Sequence, residues 1–245
     1  DFRAWPGPMH ALVGENGAGK STLINIFAGR LKADEGTVSL DETALAPGSA
    51  YLALKAGIVA VYQSPMLFER MSWEENLALG GFGTTRARHD PAAAAERARP
   101  LAVRLGFDLP PAGTPVEHCS IGERVRLEIL RALSFDPRVL ILDEPTGVLA
   151  PTELGPFLEL LRRLRGEGRI VIIVTHKLAE ALSVADGVTV LRHGRVVAER
   201  EASATNESEL ARLMIGEIGQ SGIIGGVTIA AATSGVSVAP PDNRS

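Results

Sequence analysis

The sequence has one cysteine, Cys119, so no disulfide can close within the chain, and this usage fits a reducing compartment. Positive charge is not in excess. Asp and Glu number 29 against 25 Lys and Arg, and a net charge of −4 leaves no basic field to hold a nucleic acid. Lysine is scarce, with Lys20, Lys32, Lys55 and Lys177 the only four, so arginine supplies the rest of the basic residues. The first residue is Asp1, not Met, and the residues up to Val13 lack the basic stretch and apolar core of a secretory signal. No internal repeat is visible. A membrane helix needs a run of about 20 apolar residues, and the one long uncharged stretch, between Glu217 and Asp242, falls short of it. Gly225, Gly226, Thr228, Thr233, Ser234, Gly235 and Ser237 interrupt that stretch, and it has no leucine. It reads as a linker or an isolated strand. What remains is 45% hydrophobic and 22% charged, an ordinary globular composition.

Hydrophobic periodicity gives the fold class. Met9 to Val13, Ile58 to Tyr62, Val139 to Leu142 and Ile170 to Val174 are apolar runs of strand length. Strands that are apolar at every position require a sheet covered on both faces. Helical patterns alternate with them. Leu23, Ile24, Phe27 and Ala28 follow the first run, Leu127, Ile129, Leu130 and Leu133 precede the third, and Leu154 to Leu164 repeats at three to four residues after it. A helix from about 178 to 184 follows the fourth run, then a hairpin turning at His193-Gly194. The stretch 77–105 reads as helical in parts, broken around 80–83, and Pro110, Pro111 and Pro115 enforce a loop. The expected fold is α/β with a mostly parallel sheet.

Two sites on this frame carry chemistry. Gly14-Glu15-Asn16-Gly17-Ala18-Gly19-Lys20-Ser21 matches G-x-x-x-x-G-K-[ST] between an expected strand and an expected helix, the context of a phosphate loop. Its glycines let backbone N–H groups turn onto phosphate oxygens, and the helix behind it adds the positive end of its dipole. In this reading Gly14, Asn16, Gly17, Ala18 and Gly19 cradle the phosphates and Lys20 bridges the outer two. Ser21 ligates Mg²⁺ and Thr22 bonds on the α-phosphate side. The third apolar run ends in Asp143-Glu144, two carboxylates at the edge of the sheet where α/β ligand sites lie. Asp143 is expected to hold the metal's water shell and Glu144 to act as general base on an attacking water.

With these residues in place the chain resembles the nucleotide-binding domain of an ABC transporter, a P-loop NTPase with a helical subdomain and a C-terminal hairpin. The resemblance spans about residues 7–216, which implies a nucleotide-binding domain at 1–216 with its helical subdomain at about 68–135, and a flexible linker or the start of a following segment at 217–245. Ser120-Ile121-Gly122-Glu123-Arg124 is similar to the family signature and lies ahead of Asp143-Glu144 as in the family. The family uses this motif to cap the γ-phosphate of ATP bound to the opposite cassette, which implies that Ser120, Gly122 and Glu123 contact nucleotide. Taken alone, Ser-x-x-Glu is also the spacing of a helix capping box. Gln63 resembles the glutamine that touches the metal site, and His176 the switch histidine that contacts the γ-phosphate. The resemblance therefore implies an Mg-dependent ATPase with Lys20, Glu144 and His176 as catalytic residues and Ser21, Gln63 and Asp143 as the metal set.

The wording of the loop, Gly122-Glu123-Arg124 and Thr175-His176-Lys177-Leu178 are similar to importers of simple sugars and nucleosides, whose two cassettes are often fused. That implies an N-terminal cassette lacking about 25 residues at its start. It also implies a second cassette, transmembrane permease subunits and, indirectly, an extracytoplasmic solute-binding protein as partners. No nucleic-acid partner is expected, and the place of work would be the cytoplasmic face of the cell membrane. The chain departs from the family in three places: Trp5 lies too close to Gly14 to replace the aromatic that stacks on adenine, Ala150 stands where many relatives have Asp, and in the signature Cys119 stands at the usual leucine with Ile121 and Glu123 in place of Gly and Gln. Two other readings stay open here, a soluble ABC ATPase of the translation or repair type and a catalytically impaired cassette.

Overall fold

The computed structural model describes residues 1–4, 6–80, 90–165 and 167–216, together with the strand 236–239. Trp5 and the expected break at 81–83 lie outside these residues.

Two sheets share one core. The larger has six strands in the order β5 (Ile58–Val61), β6 (Val139–Asp143), β7 (Ile170–Thr175), β2 (Met9–Val13), β8 (Gly187–Arg192) and β9 (Arg195–Glu201). The first five pair in parallel and β9 closes the edge as an antiparallel hairpin with β8. The turn of that hairpin is His193-Gly194, both with positive φ, as the Gly and the preceding polar residue foretell.

The apolar runs are explained by the side-chain period of two. Met9, Ala11 and Val13 of β2, Leu140 and Leu142 of β6, and Val171 and Ile173 of β7 face one layer. Leu12, Val139, Ile141, Ile170, Ile172 and Val174 face the other. On the first side lie α5 (Ile121–Leu133), α6 (Pro151–Leu164), α7 (Leu178–Val184) and α8 (Glu207–Ile215), which contribute Ile129, Phe157, Leu161, Val184 and Leu210. On the second lie α1 (Lys20–Phe27) and α2 (Ala50–Lys55) with Ile24, Phe27 and Ala53, and the small antiparallel sheet with Phe2, Ala4 and Leu40. Neither face of β2, β6 or β7 meets water; the one polar side chain within β2, His10, pairs with Thr189 at 2.8 Å, and Asp143 and Thr175 stand only at the carboxyl ends of β6 and β7.

Between β5 and β6 the chain leaves the sheet. There α3 (Trp73–Ala78) and α4 (Pro91–Leu105) pack on one flank of α5 through Trp73, Leu77, Ala98, Leu127 and Leu130, with Cys119 buried among them. Burial pushes the Cys119 thiol above its ordinary pKa. The alanines of α4 allow α3 to approach closely, and Asp90 caps the helix ahead of Pro91.

The second sheet runs β1 (Phe2–Ala4), β10 (Val236–Ala239), β3 (Thr37–Leu40) and β4 (Thr43–Ala44), with every pair antiparallel. β10 comes from the uncharged tail. Phe2 pairs with Val238 on one side, and Val38 pairs with the same residue on the other. Four residues of a stretch expected to be a linker or an isolated strand therefore pair as a central strand. The backbone groups of β1 and β3 would otherwise be open edges, and a Val-Ser-Val run suits the pairing. Among the described residues no helix is long and apolar enough to cross a membrane.

Candidate functional site

Strand order brings the motifs together. β5, β6, β7 and β2 are neighbours, and their register aligns Val61 with Leu142, Asp143 with Val174, and Thr175 with Val13. The residues that follow each strand therefore emerge side by side at the carboxyl edge, with strands about 4.8 Å apart. Gly14 leaves β2, His176 leaves β7, Glu144 leaves β6 and Gln63 leaves β5. Asn16, Gly17, Gly19, Lys20, Ser21, Thr22, Gln63, Asp143 and Glu144 line one cavity of about 250 Å³.

The loop is shaped for anions. Gly17 and Gly19 have φ of 82° and 102°, values that a side chain would make costly, and the turn is closed by Ala18 N–H donating to the Glu15 carbonyl at 3.1 Å. α1 starts at Lys20 with no side-chain cap and no acid in its first turn. The contrast is with α3 and α5, each of which has a complete capping box. The N-terminal N–H groups of α1 are thus left to a ligand, and the helix dipole favours a negative one.

Lys20 is 6% exposed. Its ammonium donates to the Gly14 carbonyl at 2.8 Å and the Glu15 carbonyl at 3.1 Å, and stands 3.7 Å from Glu144 Oε1. His176 Nδ1 lies 2.9 Å from Glu144 Oε1 and 2.7 Å from Oε2. Glu144 itself has φ 46°, unusual for a non-glycine residue, and its N–H continues the β6–β7 ladder by donating to the Val174 carbonyl at 2.8 Å. The carboxylate therefore sits on rigid backbone between a lysine and a histidine.

Behind this trio is a network the sequence did not reveal. Lys177 Nζ donates to the Thr146 carbonyl at 3.0 Å and pairs with Glu180 at 3.2 Å, and the buried Thr146 hydroxyl donates to Glu180. It ties the turn after Glu144 to the turn after His176. The only cue in the sequence was the scarcity of lysine.

Asp143 is nearly buried, and burial, then the neighbouring Glu144 charge, lift its pKa from 3.8 to about 6, with Lys20 opposing. The folded protein thus keeps at this carboxyl a proton that the unfolded chain releases, so its own contribution to stability falls as pH rises from about 4 to about 6. Asp143→Asn is expected to remove that fall. In urea titrations the variant should be more resistant than the parent at pH 7, and the two should converge near pH 4. A stability difference between variant and parent that is the same at pH 7 as at pH 4.5 would contradict the assignment.

The donor set fits a hard divalent cation. Ser21, Gln63 and Asp143 offer oxygens around one space, and they also line an adjoining groove of about 530 Å³. Among the described residues no group of three or more His, Cys, Asp and Glu is placed to hold a metal unaided. One carboxylate with neutral oxygens suits Mg²⁺, which completes its shell with water and phosphate.

Ser120, Gly122 and Glu123 do not join the cavity. The capping box is fully formed, with Ser120 Oγ accepting from Glu123 N–H at 3.1 Å and Glu123 Oε2 accepting from Ser120 N–H at 2.7 Å. The same serine hydroxyl and the Gly122 N–H face Glu153, a residue that the sequence reading did not single out.

Comparison with known proteins gives consistent results. The family described as ABC transporter matches residues 1–147. The ribose import ATP-binding protein RbsA 1 of Streptomyces coelicolor is 40% identical over 219 residues, which cover 86% of this chain and 42% of that protein. The nucleoside import ATP-binding protein NupA of Lactococcus lactis is 38% identical over 210 residues, covering 86% and 41% respectively. The chain thus spans less than half the length of these curated relatives. Among solved structures, the ADP conformation of MJ1267, an ATP-binding cassette of an ABC transporter, aligns with a TM-score of 0.71 at 26% identity, covering 86% of this chain and 85% of that one. The dimeric bacterial ABC transporter cassette MJ0796 aligns at 0.69 and 26%, covering 81% and 87%.

Proposed function

The chain belongs to the ABC transporter family, and from that premise we propose that it is the ATP-binding and ATP-hydrolysing cassette of an importer for simple sugars or nucleosides. The observation that carries the reading is the gathering of the phosphate loop, Lys20, Glu144 and His176 at the ends of adjacent parallel strands. The named activities of the ribose and nucleoside import relatives support the solute class.

In this reading the loop N–H groups and the start of α1 hold the phosphates of ATP, and Lys20 swings from its carbonyl partners onto the outer phosphates. Ser21, Gln63 and Asp143 would hold Mg²⁺, which shields phosphate charge when bound; a cation there would keep Asp143 ionised. Glu144 takes the proton of the attacking water at a carboxylate oxygen. His176 orients that carboxylate through Nδ1 and leaves the rest of its half-exposed ring toward the γ-phosphate. Ser120, Gly122 and Glu123 serve a nucleotide on a facing cassette, because they lie apart from their own phosphate cavity. The remaining partners are permease subunits at the cytoplasmic face of the membrane and, through them, a solute-binding protein.

Equilibrium dialysis with ATP and Mg²⁺ tests the site. Lys20→Gln removes charge-assisted bonds worth about 1.5–3 kcal/mol, so affinity should fall roughly 10- to 100-fold. Unchanged affinity would remove Lys20 from the phosphate site.

A further inference from the structure

Glu153 stands in the first turn of α6, and its carboxylate bridges two parts of the chain. Oε1 accepts from the Ser120 hydroxyl at 3.0 Å and from the Gly122 N–H at 3.1 Å. Oε2 accepts from the Ala150 N–H at 3.1 Å, at the end of the turn that begins with Glu144. The approach depends on glycine at position 122, where a Cβ would lie only 2.1 Å from Oε1. The half-buried carboxylate therefore rests in a notch made for an oxygen anion, at the positive end of a 13-residue helix.

A serine hydroxyl and a backbone N–H have one hydrogen each. In the reading proposed above, on which this inference rests, the same two donors cap the terminal phosphate of a nucleotide held by a facing cassette. Carboxylate and phosphate cannot both take them, and two anions side by side repel. We propose that Glu153 is a built-in occupant of this face, an internal carboxylate that the terminal phosphate of the facing nucleotide must displace before two cassettes can close. Glu153 thereby sets how much ATP is needed for pairing. Since the same carboxylate holds Ala150, its displacement also releases the far end of the turn that carries Glu144.

The test uses the chain with Glu144→Gln, so that nucleotide persists, and compares it with the same chain also carrying Glu153→Gln. Glutamine keeps the length of the side chain but has one acceptor oxygen where the carboxylate uses two, so it cannot hold Ser120 and Gly122 and also accept from Ala150, and the bonds it does accept carry no charge; its hold is weaker. Sedimentation velocity with Mg²⁺ and ATP reads self-association, and equilibrium dialysis at low protein concentration reads ATP affinity of the single chain. The expected result is unchanged single-chain affinity and pairing about tenfold tighter for each displaced carboxylate, or about a hundredfold for a symmetric pair. Glu153→Ala, which removes the occupant altogether, should tighten pairing at least as much, provided urea titration shows it folded. Equal or weaker pairing by the Glu153→Gln chain, or no pairing by either chain while both bind ATP, would overturn the proposal. Failure of both chains to bind ATP would instead overturn the reading of the phosphate site, and this inference with it.

Discussion

Glu144→Gln is expected to bind ATP as well as the parent chain or better, while its turnover falls by about 10²–10⁴-fold, the usual worth of a positioned general base. The substitution preserves shape. The amide oxygen of glutamine can still accept from His176 Nδ1, which lies within 2.9 Å of the carboxylate, and the strained backbone at φ 46° is unaffected by a change at the end of the side chain. What it cannot do is take a proton from water. The loss of negative charge 3.7 Å from Lys20 also frees that ammonium for phosphate, so affinity has no reason to drop. Single-turnover phosphate release alongside equilibrium dialysis separates the two effects. Turnover within a few-fold of the parent would mean that the proton leaves by another route and that Glu144 only shapes the turn.

Phe157→Ala is expected to show the opposite signature, with stability lost and nucleotide affinity kept. Phe157 is 1% exposed on α6 and packs with Leu160, Leu161 and Leu164 in the layer that covers β6 and β7. Truncating a buried phenylalanine costs about 3–5 kcal/mol through lost transfer energy and the cavity left behind. That is a large part of the roughly 5–15 kcal/mol that holds an ordinary domain together. The phosphate loop and α1 lie on the other side of the sheet, so chains that remain folded should bind ATP normally. Urea titration with a dialysis measurement below the midpoint decides it. A loss under about 1 kcal/mol would mean that the α6 layer closes up around the gap and contributes little through this ring.

The parts read correctly from the chain were those with strong local signals. The four apolar runs became β2, β5, β6 and β7, because strands covered on both faces carry no charge before their carboxyl ends, with Val59 and Ala60 of the edge strand β5 half-buried. Ser120 and Glu123 opened α5 as a capping box. Elements with weak signals went unread. α2 has six residues, one buried alanine, and Tyr51, Leu52 and Leu54 turned outward, so its pattern has no apolar face. α8 buries only Leu210 and Met214 fully, with Leu213 packed beside them. The pairing of the antiparallel sheet went unread because β1 and β4 are three and two residues long and β10 arrives from the far end of the chain.

The candidate site divides in the same way. By itself the sequence determined which groups stand at the ends of the apolar runs: the glycine loop with Lys20, the Asp143-Glu144 pair, His176 and Gln63. Local order suffices for that, since burial and backbone preference act over a few residues. That these ends meet is decided by the strand order β5-β6-β7-β2 and its register, pairings between segments far apart in the chain that local periodicity does not encode. The tertiary structure alone also set Ser120 and Gly122 away from the phosphate cavity and placed Glu153 upon them. A carboxylate 33 residues from that serine has no periodic relation to it, and only the fold, which sets the first turn of α6 against the start of α5, brings the two anion-seeking donors and their occupant together.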